Sequence, residues 1–301
     1  MKSTQTSDWK DRCTIGITSR DRAEDLRYTI EKQKAIGLGD MHYIIVDDGS
    51  ADAETLREIA GQLPRCRFIR HESTTGYVQR RQEMAEMCET EFLISLDDDS
   101  YFVDVGGMAM AVEEFDKDRQ LALQSFRIVQ LKPHERRETR FLAGELFWFR
   151  GCGYMLRVEA FLKVGGYPKE YIYTGEETHL TMQFFRAGYR MRHCPDAVVE
   201  HRWSGASRDP GWMEFNMTRS QAVVKLLNEP LFTAMVGLGS IILKRALRDW
   251  TNVSHHFRGW RAGIRAGIQG RGRFQKMNMK QYFAFRRLCR VSHVLESVSK
   301  I

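Results

Sequence analysis

Three carboxylates in a row, Asp97-Asp98-Asp99, close an apolar run, FLISLDDD (92–99). Adjacent acids repel one another unless a cation or a set of donors compensates them. Asp97 and Asp99 are two residues apart and point the same way if the strand continues. Hard divalent cations such as Mn²⁺ or Mg²⁺ take carboxylate oxygens, and Mg²⁺ in particular keeps few protein ligands and recruits substrate phosphates. A nucleoside diphosphate would complete that shell, whereas the alternative is a solvated turn or helix cap. A second pair, Asp47-Asp48, ends HYIIVDD (42–48) before Gly49-Ser50. It can accept hydrogen bonds from a nucleobase or ribose, or simply cap the helix that follows. Glu176-Glu177 come after Gly175 at the start of a helical pattern. The helix dipole favours acids there, and a carboxylate in a polar pocket can also serve as general base toward a hydroxyl. His201 closes AVVEH (197–201) and counts as a metal ligand only if the chain folds it back toward Asp99.

Alternating elements must position these groups. Residues 13–19 read as a strand, 20–36 as a helix, 42–48 as a strand, 53–63 as a helix, 66–70 as a strand, 77–88 as a helix and 92–99 as a strand. Such βαβ alternation predicts an α/β fold with a mostly parallel, doubly wound sheet flanked by helices. Ligands of open α/β sheets bind beyond the carboxyl ends of the strands, where both aspartate clusters lie. Further along, 105–115 reads helical, 121–131 as a strand, 151–168 as a turn-rich stretch, 175–185 as a helix, and 189–193 and 197–201 as short strands.

The chain has 301 residues and a formal net charge of +7, and the basic character belongs to its end. Glu229 to Ile301 carry 14 Lys or Arg against 3 Asp or Glu, whereas residues 1–228 are net acidic by 4. A basic tail suits an anionic partner such as a membrane surface, although a solvated helical face is the simpler reading. Residues 231–243 are apolar, but 13 residues make only ~20 Å of helix, short of the ~30 Å hydrocarbon core. This predicts a packed or interfacial helix, and Lys244, Arg245 and Arg248 follow directly, as in a surface anchor. Six cysteines show no CxxC pair and fit a reduced, cytoplasmic setting. The N-terminus lacks an apolar signal segment.

Taken in order, these pieces resemble family 2 of the glycosyltransferases over residues 12–205. The resemblance is carried by CTIGITSRDRAEDLRYTIE, HYIIVDDGS, TGYVQRRQEMAEMCETEFLISLDDDS, RGCGYMLRVEAFLKVGGYP and TGEETHLTMQFFRAGYRMRHCPDAVVEH. It implies a GT-A (Rossmann-like) catalytic domain over 1–227. The donor-binding part would cover about 12–104 and the acceptor and base part about 105–205, with a basic, mainly helical extension over 228–301. It implies that Asp48, with Asp47, binds the base and ribose of a nucleotide-diphosphate sugar. Arg81 matches a family arginine near the donor. Asp97 and Asp99 form the DxD motif, Asp99 touching Mn²⁺ or Mg²⁺ directly, and Asp98 lies between them on the donor side. Glu177 stands at the catalytic base, Glu176 being able to share the role, and His201 is a further metal ligand or diphosphate contact.

The departures are a glutamate where the family usually has an aspartate base, His179 in place of an acid, and Gln82 in place of an asparagine. The implied reaction is inverting transfer to a hydroxyl of a glycan or lipid-linked acceptor, in cell-surface polysaccharide synthesis, by an enzyme peripheral to the inner membrane face. The aromatics Phe147, Trp148, Phe149 and Tyr154 would then form either an acceptor platform or core. Two rivals stand against this. A sugar-nucleotide nucleotidyltransferase would need a Gly-rich phosphate loop after the first strand, and ITSRDRAED has no such cluster. A nucleic-acid binder using HHFRGWRAGIR and YFAFRRLCR would leave the acidic clusters without purpose, so no nucleic-acid partner is expected.

Overall fold

The computed structural model describes residues 8–132, 135–141, 146–202, 209–248, 250–291 and 294–300. In chain order the first elements are α1 (Asp8–Asp11), β1 (Cys13–Ser19), α2 (Ala23–Ala35), β2 (His42–Asp47), α3 (Ala53–Ala60), β3 (Cys66–Arg70), α4 (Tyr77–Glu86), β4 (Phe92–Asp97) and β5 (Ser100–Phe102). The middle of the chain gives α5 (Gly106–Lys117), β6 (Leu121–Lys132), β7 (Glu135–Phe141), β8 (Gly153–Arg157), α6 (Val158–Lys163), α7 (Glu176–Ala187) and β9 (Arg190–Arg202). The last elements are α8 (Pro210–Asn228), α9 (Leu231–Arg248), α10 (Val253–Gln269), α11 (Met279–Val291) and β10 (Val294–Lys300).

The sheet runs β10-β7-β6-β8-β4-β1-β2-β3, with β9 beside β6 and β5. Its first-half strands, β3-β2-β1-β4, are all parallel, because α2, α3 and α4 supply the crossover connections that parallel pairing needs. Beyond β4 the sheet turns mixed: β8 is antiparallel to β4 and β6, β7 is antiparallel to β6, and β9 is parallel to β6. Alternate strand residues feed two cores. Ile15, Ile17, Ile45, Ile94 and Leu96 face the α2/α3/α5 side. Ile44, Val46, Leu93 and Leu156 face the α4/α6/α7/α8 side.

Three parts of the chain fold differently from their sequence reading. The stretch 151–168 contains β8 and α6. All five β8 residues are buried, so no alternation marks that strand. The two short strands at 189–201 are one strand, β9, whose register on β6 shifts between Phe126–Cys194 and Arg127–Val198. The tail adds a strand, β10, which pairs with β7, although helices dominate it.

Those helices are packed by small residues. Asp209 caps α8 by accepting from the amides of Gly211 and Trp212. On α10, Gly259, Gly263 and Gly267 lie against α8. A Cβ at Gly259 would come within 2.2 Å of the Phe215 carbonyl oxygen, and one at Gly263 within 2.3 Å of that of Arg219. No helix among the described residues is long and apolar enough to cross a membrane.

Candidate functional site

Register explains how separated acids meet. β1 pairs Ser19 with Asp47 of β2 and Thr18 with Asp97 of β4, so both aspartate clusters lie at the same edge of the parallel strands. One turn later, β5 sets Ser100 opposite His201 of β9, and the Arg202 amide donates to the Asp99 carbonyl at 2.9 Å. The histidine is therefore delivered to the aspartates by strand pairing.

Asp97, Asp99 and His201 each offer a ligand atom within 4.8 Å of the others. Asp99 Oδ1 is buried and faces His201 Nε2 at 3.1 Å, with no other partner. Its other oxygen accepts from Arg22 Nη2 at 2.6 Å. Burial alone would raise the Asp99 carboxyl, but His201 and Arg22 outweigh it and bring it down to about 2. Burial disfavours a charged His201. The Cys152 sulfur and Asp99 more than offset this and hold the imidazole well above its ordinary range. Two carboxylates and an imidazole fit Mn²⁺ or Mg²⁺, and an ion there would compete with the His201 proton. Asp98 is turned away from this group. Its Oδ2 accepts from the Ser19 hydroxyl at 2.9 Å, its Oδ1 faces Arg22 Nη1 at 2.9 Å, and its carbonyl accepts from Thr29 at 2.8 Å. Burial raises its pKa well above the usual carboxylate range.

Arg81, only 3% exposed, joins this group to the glutamate pair. Nη2 donates to Asp97 Oδ1 at 2.6 Å and to the Gly151 carbonyl at 2.8 Å. Nη1 donates to Glu176 Oε1 at 3.2 Å. The Tyr77 ring lies 4.6 Å from the guanidinium carbon, and the Tyr77 hydroxyl oxygen accepts from the Thr174 amide at 3.0 Å. Thr174 (φ 56°) and Gly175 (φ 87°) are both left-handed just before α7. A non-glycine residue in that region is strained, and the turn it makes aims the first helical residues inward.

Glu176 is fully buried. Burial, then the charge of Glu177, push its carboxyl well up against the pull of Arg81. Glu177 is half-buried. Its Oε1 lies beside Gly151, where a Cβ would come within 3.0 Å of it and within 2.7 Å of Arg81 Nη1. Only glycine at 151 leaves room for both.

Asp47 and Asp48 are at the strand ends but engaged internally. Asp47 Oδ1 accepts from the Ser50 amide at 2.8 Å, and Oδ2 faces Arg70. Asp48 accepts from Thr74 Oγ1 at 2.6 Å, the Thr75 amide at 3.0 Å, the Gly76 amide at 2.9 Å and Arg80 Nε at 2.7 Å. Asp48 thus organises the loop ahead of α4, and Asp47 the turn after β2. Among the aromatics, Phe149 and Tyr154 are core residues and Trp148 is exposed. His179 is buried between Tyr171 and Phe274, and burial lowers its pKa to about 3. Gln82 Oε1 accepts from the Tyr167 amide at 2.6 Å. Sequence reasoning missed Arg22, Cys152 and Gly151. For the glycine, the GCG triplet at 151–153 was the available signal.

The family described as Glycosyl transferase family 2 matches residues 14–191. A "Pre-mycofactocin glycosyltransferase" of Mycobacterium tuberculosis is 25% identical over 213 residues, 65% of this chain and 44% of its own length. The chain thus spans under half of that curated relative. Among solved structures, the mannosyltransferase PcManGT from Pyrobaculum calidifontis, in complex with GDP-Man and Mn²⁺, superposes with TM-score 0.55 at 13% identity. That match covers 93% of this chain and 80% of the other. S. aureus TarS in complex with UDP-GlcNAc gives TM-score 0.56 at 14% identity, over 86% and 81%. At such identities the structures establish the shared GT-A fold, and with the family match over more than half of its length, the chain belongs to glycosyl transferase family 2.

Proposed function

We propose that the protein is an inverting, metal-dependent glycosyltransferase that moves a sugar from a nucleotide-diphosphate donor to an acceptor hydroxyl, with Glu177 as general base. The observation that supports this reading is the Arg81 bridge, whose guanidinium hydrogen-bonds both Asp97 of the Asp97/Asp99/His201 group and Glu176 of the glutamate pair. A Mn²⁺ or Mg²⁺ ion held by Asp97, Asp99 and His201 would neutralise charge on the leaving diphosphate, and the Mn²⁺ of the PcManGT complex supports that choice.

The remaining work falls to the chain itself. Arg22 fixes the Asp99 carboxylate, and Asp98 fixes Arg22. Asp47 and Asp48 serve the donor nucleotide through the turn and loop they hold. Arg81 keeps Asp97 in place and sets the first turn of α7. Glu177 takes the hydroxyl proton as oxygen attacks the anomeric carbon from the face opposite the diphosphate. Glu176, fully buried and held by Arg81, is a fixed wall behind it. A glycan or lipid-linked acceptor at the inner membrane face agrees with the basic tail and with the exposed Leu231, Phe232, Met235 and Val236 of α9.

Nucleoside diphosphate release, measured over common sugar nucleotides with Mn²⁺, tests the proposal. Release from one donor that stops with a chelator is expected. Metal-independent release, or pyrophosphate release from a nucleoside triphosphate, would overturn it.

A further inference from the structure

A cavity of about 800 Å³ lies between the start of α7 and helices α8, α9 and α11. Thr174, Gly175 and Thr178 form one wall, so the cavity flanks the acid pair Glu176-Glu177 along the chain. Five cationic side chains line it, and among the described residues no carboxylate does. Lys225 is paired with Glu229 and Arg245 with Glu214. Lys244, Arg248 and Arg286 have no carboxylate partner among the described residues. Like charges converge in a concave site when their partner is a ligand, and guanidinium forks beside an ammonium match phosphate oxygens.

Apolar side chains share the lining: Phe232, Val236 and Phe283, all exposed. Phe232 and Val236 share one face of α9 with exposed Leu243 and Leu247, at spacings of 4, 11 and 15 residues from Phe232. An apolar track therefore leads out of the cationic cavity along the helix. A soluble anionic sugar would have no use for that track. A flat bilayer would meet cations on a convex face and not inside a hollow.

We propose that this cavity binds the anionic end of the acceptor, a phosphate- or diphosphate-bearing amphiphile whose hydrocarbon tail runs along α9. This rests on the glycosyl-transfer reading and names the acceptor class for it: the phosphates sit on Lys244, Arg248 and Arg286, and the hydroxyl to be glycosylated is presented to Glu177.

The test is direct binding to the full chain of farnesyl diphosphate, inorganic pyrophosphate, farnesol, and vesicles of phosphatidylglycerol or phosphatidylcholine. These titrations are run without metal, and affinity for the donors GDP-mannose and UDP-GlcNAc with Mn²⁺ is measured on separate samples of the same proteins. Farnesyl diphosphate is expected to bind at least about tenfold more tightly than pyrophosphate or farnesol. The triple variant Lys244→Ala/Arg248→Ala/Arg286→Ala should lose about tenfold or more of that affinity while keeping donor affinity. The variant Val236→Asn, polar but uncharged, should weaken farnesyl diphosphate and leave pyrophosphate unchanged.

Equal binding of pyrophosphate and farnesyl diphosphate would reduce the cavity to an anion site and overturn the proposal. So would binding untouched by the triple variant, or phosphatidylglycerol vesicles as the sole ligand that the variant loses. Intact farnesyl diphosphate binding without donor binding would count against glycosyl transfer and leave the cavity's ligand class standing.

Discussion

Arg81 Nη2 lies 2.6 Å from Asp97 Oδ1, and the same guanidinium reaches Glu176 through Nη1 at 3.2 Å. One buried cation thereby ties the end of β4 to the start of α7. A lysine keeps the charge but has no fork with which to hold both carboxylates and the Gly151 carbonyl. Arg81→Lys should fold and lose about 10²-fold in turnover, the scale of a misplacement near 1 Å. Wild-type rates in that variant, with thermal melting unchanged, would show that the bridge is not needed.

The two glutamates should separate sharply. Glu176 is fully buried, its carboxyl pushed up first by burial and then by the charge of Glu177, and Glu176→Gln keeps the side chain's shape and an oxygen that accepts from Arg81. It should retain most of the turnover. Glu177→Gln removes the accessible carboxylate and should cost ~10²–10⁴ in rate. Parallel rate measurements at pH 7 check this, and the reverse ranking would move the base to Glu176.

Asp99 and His201 should govern the response to metal. Asp99→Asn and His201→Ala should each raise the Mn²⁺ concentration for half-maximal donor binding at least ~10–100-fold, a loss that disturbing the support of a metal ligand already produces. A Mn²⁺ titration of donor binding reads the effect. An unchanged titration would remove the residue from the ligand set.

Asp48 should matter for folding. Burial would raise its carboxyl, but the Thr74 hydroxyl, the Thr75 amide, Arg80 and the Gly76 amide hold it below the usual value. Its contribution is therefore complete above the unfolded value near ~4 and is lost as pH falls through the lower folded value. Asp48→Asn should cost about 1–3 kcal/mol at pH 7, and the gap to wild type should shrink on acidification below pH ~4. Denaturant titrations at several pH values measure both.

The α8–α10 contact should be intolerant of size. Gly259→Ala puts a methyl where a Cβ would be 2.2 Å from the Phe215 carbonyl oxygen, and overpacking of this kind costs about 1–3 kcal/mol. A lower melting temperature is expected. An unchanged one would mean that the helices slide apart freely.

Much of the parallel half was legible because its strands announce themselves. HYIIVDD and FLISLDDD are buried runs that end in acids, and βαβ order places such ends on one edge. The antiparallel half was harder. β8 is five residues, buried on both faces and begun by Gly153, so 151–168 reads as turns. β9 hides its continuity behind the shift at residues 195–197. In the tail, charge and aromatic residues drew attention to HHFRGWRAGIR, whereas the informative feature is the four-residue glycine spacing 259, 263, 267 that seats α10 on α8. Residue type also left Asp48 and Asp98 ambiguous. Whether an aspartate faces a ligand or its own loop depends on donors such as Thr74 and Ser19, which lie tens of residues away in sequence.

The most direct measurement is single-turnover sugar transfer by Glu177→Gln, with donor affinity determined on the same protein in Mn²⁺. The expected result is transfer slowed ~10²–10⁴-fold with donor affinity equal to wild type. Transfer at the wild-type rate with the donor bound would contradict the assignment of Glu177 as the base.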